Sequence, residues 1–234
     1  MTDHEAQQVL NKIVKQVFGI ENPLSLDQFR EKFAFDIKLP IRVYDSTTNE
    51  ETWVRDNTNA GRYMKFDNIL KHDAEQGDFM QPKIELSGIQ DILQAWQKVN
   101  FTATEKHIES INVSKSDTIN GCENVYMSLD YGNSKNVVFC DGGFNSEYVA
   151  ACPRSNTLSY CIRVEGSKEV SSSFEVTWSA KVTNSMFINN CFDMYECMFC
   201  SHVTGKQYCI ANMQFSEEEY FKLKPMIINW IFNG

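Results

Sequence analysis

The fold is decided by three consecutive stretches of equal length: VYMSLDYGNSKN (125–136), VVFCDGGFNSEY (137–148) and VAACPRSNTLSY (149–160). Aligned without a gap, they put small or apolar residues in the same columns. The pattern runs on in both directions, from about Ser110 to Asn212. Counting in twelves from Tyr126 gives Val138, Ala150, Ile162, Phe174, Met186, Met198 and Ile210. Two residues later a column reads Ser128, Cys140, Cys152, Val164, Val176, Ile188 and Cys200. A third reads Cys122, Ser134, Ser146, Leu158, Val170, Val182 and Met194. A fourth reads Val125, Val137, Val149, Cys161, Ser173, Ser185, Cys197 and Cys209. Columns that stay small or apolar at a fixed short period mark a stacked solenoid.

Between the Tyr126 and Ser128 columns stands a variable one: Met127, Phe139, Ala151, Arg163, Glu175, Phe187 and Phe199. Constant-inside and variable-outside is the alternation of a strand, so each coil is expected to give a short strand. Equivalent strands then stack as a parallel ladder about 4.8 Å apart. Asp141, Gly142 and Gly143, Gly166, and Asn189 with Asn190 supply tight corners. The fold class expected is α+β: a narrow parallel β-solenoid of about twelve residues per coil, with an N-terminal helix and hairpin region and a C-terminal capping helix. The boundaries are 1–106, 107–215 and 216–234.

The N-terminal region reads residue by residue. Thr2 and Glu5 form a capping-box pattern before Val9, Leu10, Ile13, Val14, Val17 and Phe18 at helical spacing, and Gly19 stops the helix. Ser25 and Gln28 open a second helix. Pro40 keeps the next stretch extended, and the turn Ser46–Asn49 leads into Thr52, so a hairpin is expected. The stretch from Arg55 to Gln81, with Gly61 and Gly77, reads as loop or ordered surface insertion. A connector helix over 87–99, capped by Ser87, carries Ile89, Ile92, Leu93 and Trp96 as an apolar stripe expected to cover the first coil. Ser216 and the acids Glu217, Glu218 and Glu219 open the last helix, which Pro225 is expected to kink or interrupt.

Composition narrows the function classes. With 42% apolar and 23% charged residues in 234, the chain has material for a large core. A net charge of −9 and no dense basic run argue against nucleic acid as a partner. No stretch reaches the roughly twenty apolar residues that membrane insertion needs. The first residues lack a secretory pattern, so a cytoplasmic location and mostly reduced thiols are expected.

Cys197-x-x-Cys200, the run Lys206 to Ile210, Asn212, and Ser216-x-Glu-Glu-Tyr220 together form a specific string. In these residues, and in the ladder of Asn, Ser and Cys before them, the chain resembles an uncharacterised group of cysteine-rich, solenoid-patterned proteins of reduced-genome bacteria. That group carries no established activity, so the resemblance implies no site residues.

Cys191, Cys197, Cys200, His202 and Cys209 gather in the last coils, and a Cys-x-x-Cys with two further ligands is a pattern that holds tetrahedral zinc. Against it, Val, Ile and Ser occupy the same columns elsewhere, which marks packing positions. No cofactor is therefore expected, with zinc as the alternative. No His stands in a nucleophile context and no carboxylates pair convincingly. In the variable column, Met127, Phe139, Phe187 and Phe199 are either covered by the N-terminal helices and Trp96 or Trp230, or form an exposed binding surface. A further groove could lie between the N-terminal region and the solenoid, lined by Trp53, Arg55, Arg62 and Tyr63. The function expected is a non-catalytic interaction or assembly scaffold, partnered by another protein or by itself. The alternative is a zinc- or thiol-dependent enzyme, or a metal-binding protein, built on the C-terminal Cys/His cluster.

Overall fold

The computed structural model describes residues 1–56 and 62–233. Gly61, part of the expected polar loop, lies outside the described residues. Residues 107–210 form a parallel β-solenoid of about nine turns, at about twelve residues per turn. The twelve-residue register is the one the columns imply: Val125 pairs with Val137, and Val137 with Val149.

Inside each turn the operative period is three, not two. From Glu109 to Ala211 every third residue has positive φ, as at Asn124 (58°), Met127 (45°), Asp130 (50°), Asn133 (46°) and Asn136 (56°). The residue after each of these points into the lumen: Val125, Ser128, Tyr131, Ser134 and Val137 are all buried. A left-handed residue every third position bends the chain four times per turn and closes a square coil. For a non-glycine residue that conformation costs about 1–2 kcal/mol, so hydrogen bonding and lumen packing must offset it rung by rung. The variable column of Met127 is thus one of bending residues, not the outward half of a strand.

Serine and cysteine satisfy the bends. At a corner the inward residue's N–H has lost its place in the strand ladder, and the Oγ or Sγ twelve residues earlier accepts it. Ser179 accepts the N–H of Cys191 at 3.0 Å while its hydroxyl donates to the Thr177 carbonyl at 2.8 Å. Cys140 and Cys152 do the same for Cys152 and Val164 at 3.3 and 3.4 Å. Their thiols donate to the carbonyls of Val138 and Ala150.

The columns change character partway because the corners change place. In early turns the strands Glu123–Tyr126, Lys135–Val138 and Glu147–Ala150 carry Val125, Val137 and Val149 inward, and Ser128, Cys140 and Cys152 sit at corners. In late turns Ala180–Thr183 and Met186–Asn189 carry Val182 and Ile188 inward, with Ser185 and Cys191 at corners. The exchange happens across two long strands, Pro153–Glu165 and Lys168–Thr177. Within the lumen Tyr131 fills two rungs: a Cβ on Gly143 would run into its ring, so the next turn carries glycine there.

Helices cover one side of the solenoid. Helix α1 (Asp3–Phe18) and α2 (Leu26–Phe33) open on their expected capping boxes, Thr2/Glu5 and Ser25/Gln28. The Tyr126 column does not face the lumen. Tyr126, Val138, Ala150, Ile162, Phe174, Met186 and Met198 pack outward against Leu10, Ile13, Val14, Phe18, Phe29 and Phe33 of these helices. The C-terminal helix, Glu217–Asn233, runs through Pro225 without interruption, correcting the expected break. It is capped by Ser216, whose Oγ accepts the Glu219 N–H. It lies along the same side, with Tyr220, Ile228 and Ile231 buried, instead of closing the end. The end itself is finished by side chains. Asn212 exchanges hydrogen bonds with the backbone of Ser201 at 3.0 and 2.9 Å, mimicking one more strand. Lys206 puts an exposed charge in the inward column of Met194, which blunts the open edge.

At the other end a small α/β region closes the first turn. Strands β1 (Ile41–Tyr44) and β2 (Glu51–Val54) make the expected antiparallel hairpin. Of the two readings of the polar stretch after it, the ordered insertion holds for the described residues: β3 (Tyr63–Lys65) is followed by helix α3 (Phe66–Gln76). Helix α4 (Ile89–Val99) leads into β4 (Thr102–Thr104), which pairs in parallel with β3. Hairpin and β3–β4, not α4, cover the first coil.

Ser179 gives a test of the corner bonds. Ser179→Ala leaves the Cys191 N–H unpaired in the lumen and should lower unfolding free energy by about 1–3 kcal/mol. Ser179→Cys, which keeps both bonds, should cost clearly less. Denaturant melts of the two variants beside the parent chain measure the difference.

Candidate functional site

The five residues expected as metal ligands do not assemble. Cys191, Cys197, Cys200 and Cys209 are buried in the lumen, at most 2% exposed. His202 is a bending residue (φ 57°) on the outside, and its Nδ1 lies 2.6 Å from the Ser201 hydroxyl. Imidazole and thiols therefore point to opposite sides of the same wall. Among the described residues no group of three or more His, Cys, Asp or Glu side chains stands where it could hold a metal ion. The zinc reading is corrected accordingly: the spacing is real, but His202 faces outward and the buried thiols are not arranged, among the described residues, as a group that could hold a metal.

What the thiols do instead is hydrogen-bond to the backbone. Cys191 donates to the Asn189 carbonyl, Cys197 to that of Tyr195 and Cys200 to that of Met198, at 3.3–3.4 Å. The neighbouring Cys197 thiol and burial hold the Cys200 thiol far above its ordinary range, and the same neighbour contact lowers Cys197. Burial pushes Cys161 up to about 12 and, with help from Cys200, Cys209 up to about 11. A nucleophile needs a reachable thiolate, and all eight cysteines are free and buried. Titration with a colourless-to-yellow disulfide reagent should find close to no reactive thiol in the native chain and all eight after denaturation. Rapid native labelling of two or more would contradict this packing.

The expected aromatic surface is mostly interior. Met127 and Phe139 are buried beneath α1 and α2, with Phe139 against Phe29, so they form no binding surface. Phe187 and Phe199 do stack one rung apart, centroids 4.5 Å, and Trp230 leans on both. This is the cover expected as the alternative to a binding surface: the N-terminal helices lie over Met127 and Phe139, and Trp230, not Trp96, lies against Phe187 and Phe199.

The groove between N-terminal region and solenoid exists, with different lining. Of the four residues expected there only Arg55 lines it, together with Lys38, Asp141, Arg154 and Glu165, around about 480 Å³. Arg55 pairs with Asp130 and so fastens the N-terminal region to the solenoid, while Arg154 and Glu165, 2.6 Å apart, pair within the solenoid. The Arg163 guanidinium ties Asp36 to Glu175 and donates to the Phe33 carbonyl at 2.7 Å. Beneath lies Asp117, fully buried, accepting from the backbone N–H groups of Arg55, Lys106 and Thr118 at 2.9–3.0 Å. Burial raises the Asp141 carboxyl, and Arg55, Lys38 and Arg154 only partly offset it.

The same junction carries a pH-sensitive group. His107 donates from its ring nitrogen to the Ser116 carbonyl at 2.9 Å, and burial lowers its pKa below the ordinary 6.5. The neutral ring is the folded form, so this contribution is complete above pH 6.5 and drains away as pH falls. Thermal melts from about pH 7.5 to 5 should show falling stability, less steep in His107→Gln, which keeps a donor for Ser116.

The least expected feature is α4. None of its residues is buried. Its stripe is open to solvent, with Ile89 63%, Ile92 48% and Trp96 55% exposed. It is held by backbone carbonyls: Arg62 donates to those of Gln97 and Lys98, both at 3.0 Å, and Gln81 to that of Ala95 at 3.0 Å. Sequence periodicity found the stripe but assigned it to the wrong neighbour, since the first coil was already closed by the hairpin and β4.

No known protein family, curated protein or solved structure matches this chain. What the chain shows is its architecture: a cysteine-rich β-solenoid of about twelve residues per coil.

Proposed function

We propose that this chain is a non-catalytic interaction or assembly protein. Its solenoid and helical flank act as a rigid mount, and the α3–α4 arm is its contact element. The observation that carries this reading is the open stripe of α4. An eleven-residue helix is marginal in water without tertiary packing, and contiguous exposed apolar surface of this kind marks an interaction site. The buried thiols fit the same reading. They fill the lumen and serve its corners, and eight free cysteines suit a reducing compartment such as the cytoplasm.

Size-exclusion chromatography with light scattering over a hundredfold concentration range, paired with affinity capture from a lysate, tests it. Self-association, or a retained partner lost in Ile92→Glu, is expected. A strict monomer that retains nothing would overturn the reading.

A further inference from the structure

We infer that the solenoid wall around Trp178 binds a neutral, linear oligosaccharide, one sugar ring stacked on the indole and the next units running into the groove lined by Arg55 and Asp141. This site lies away from α4 and goes beyond the interaction reading, so each stands or falls by its own test.

The first observation is an aromatic platform. Trp178 is 62% exposed. A Cβ built on Gly166, one rung earlier, would lie 2.8, 2.9 and 3.1 Å from Cε3, Cζ3 and Cδ2 of the indole. Three neighbouring ring atoms at nearly equal distance put that point over the ring's face, so the indole lies flat on the wall across the glycine. Its other face opens to solvent. An aromatic face carries negative charge and attracts polarised C–H groups, which pyranose rings present on the side free of hydroxyls.

The second is what flanks the platform. Glu165, Thr177, Asn189 and Ser201 stack in register along this wall, one on each rung of about 4.8 Å. Asn190 follows Asn189, and both are exposed. Amides and hydroxyls donate and accept at once, as recognition of vicinal sugar hydroxyls requires. None of these positions offers a peptide side chain an apolar pocket. A single nucleic-acid strand could also stack on an indole, but its phosphates would meet a chain of net charge −9.

The third is charge balance in the groove. Asp141, Pro153 and Glu165 continue the same column, and a recess lined by Pro153, Glu165 and Thr177 leads from the groove to the residue beside Trp178. The groove's volume of about 480 Å³ suits a small ligand. Its lining carries three cations, Lys38, Arg55 and Arg154, against three carboxylates, Asp36, Asp141 and Glu165. Equal numbers favour neither an anion nor a cation, yet supply many donors and acceptors to an uncharged polar ligand. The cations pair with Asp56, Asp130 and Glu165. That leaves half-buried Asp141 without an ion pair among the described residues, its oxygens open to ligand hydroxyls.

Isothermal titration of the full chain with four neutral linear hexasaccharides tests the site: those of β-1,4-glucose, β-1,4-N-acetylglucosamine, β-1,4-mannose and α-1,4-glucose. At least one should bind with a Kd of about 1 mM or tighter. Trp178→Ala should weaken that binding by about tenfold, and Trp178→Phe, which keeps a smaller ring face, by less. Asp141→Asn and Asn190→Ala should each weaken it severalfold. Phe192→Ala removes an exposed aromatic from another wall and should change nothing. Circular dichroism and melting temperature check each fold; should Trp178→Ala shift them, Trp178→Phe and Asn190→Ala decide. A parent chain that binds none of the four overturns the inference. Binding that survives both Trp178→Ala and Asp141→Asn overturns it by placing the sugar elsewhere. Tighter binding of the acidic hexasaccharide of α-1,4-galacturonate than of any neutral one overturns the choice of an uncharged ligand.

Discussion

One hydrogen bond, repeated at the corners, makes the rest of this structure possible. A coil of twelve residues must bend four times, and two of those bends fall at corners where an inward N–H leaves the ladder between strands. A buried N–H without a partner costs about 1–3 kcal/mol, and a lumen this narrow has room for little else. Ser and Cys solve the problem with one small atom. Ser128 accepts the N–H of Cys140, and Ser185 that of Cys197, each while donating to its own chain two residues back. The satisfied groups then form continuous files along the lumen, between files of Val and Ile that pack.

That division explains what the cysteines are for. A thiol is small, apolar enough to fill space and still able to give and take a weak hydrogen bond. It can therefore stand where a serine stands at a corner, as Cys140 and Cys191 do, or where a valine stands on a flat, as Cys200 does in the column of Val176 and Ile188. The gathering of Cys197, Cys200 and Cys209 in the last turns follows from this double fitness, and the outward His202 shows that no ligand set was assembled around it. Function has to be sought outside the lumen, and the arm of α3 and α4 is where the surface departs furthest from what a closed fold requires.

Much of the architecture was legible in the sequence because stacking keeps columns in register: Val125, Val137 and Val149 could be aligned without coordinates. The square cross-section was not, since Asn124, Asn133, Asn136 and Asn145 mark the left-handed positions only in part, and Met127, Tyr148, Arg154 and Lys181 adopt them too. Nor was the side the helices cover, because Tyr126 and Val125 are equally apolar and only the turn between them sends one out and the other in. Helix caps were read correctly from Thr2, Ser25 and Ser216, whose bonds are local, but not from Ser87, since α4 begins after Gly88 with no side-chain cap. The destination of each helix was not, for both α4 and the C-terminal helix were assigned to ends that hairpin strands and Asn212 already close. For the candidate site, the Cys-x-x-Cys spacing misled because it presumes a loop, where these residues lie on a wall and a corner.

The corner bonds can be observed one amide at a time. Native-state hydrogen exchange followed by NMR separates the N–H groups of Cys140, Ser146, Ser179, Cys191 and Cys197 from those of the neighbouring strands. Corner amides bonded to Ser or Cys side chains should be as protected as strand amides, exchanging only with global unfolding. Corner amides that exchange orders of magnitude faster than the strands beside them, as in ordinary exposed turns, would contradict the account.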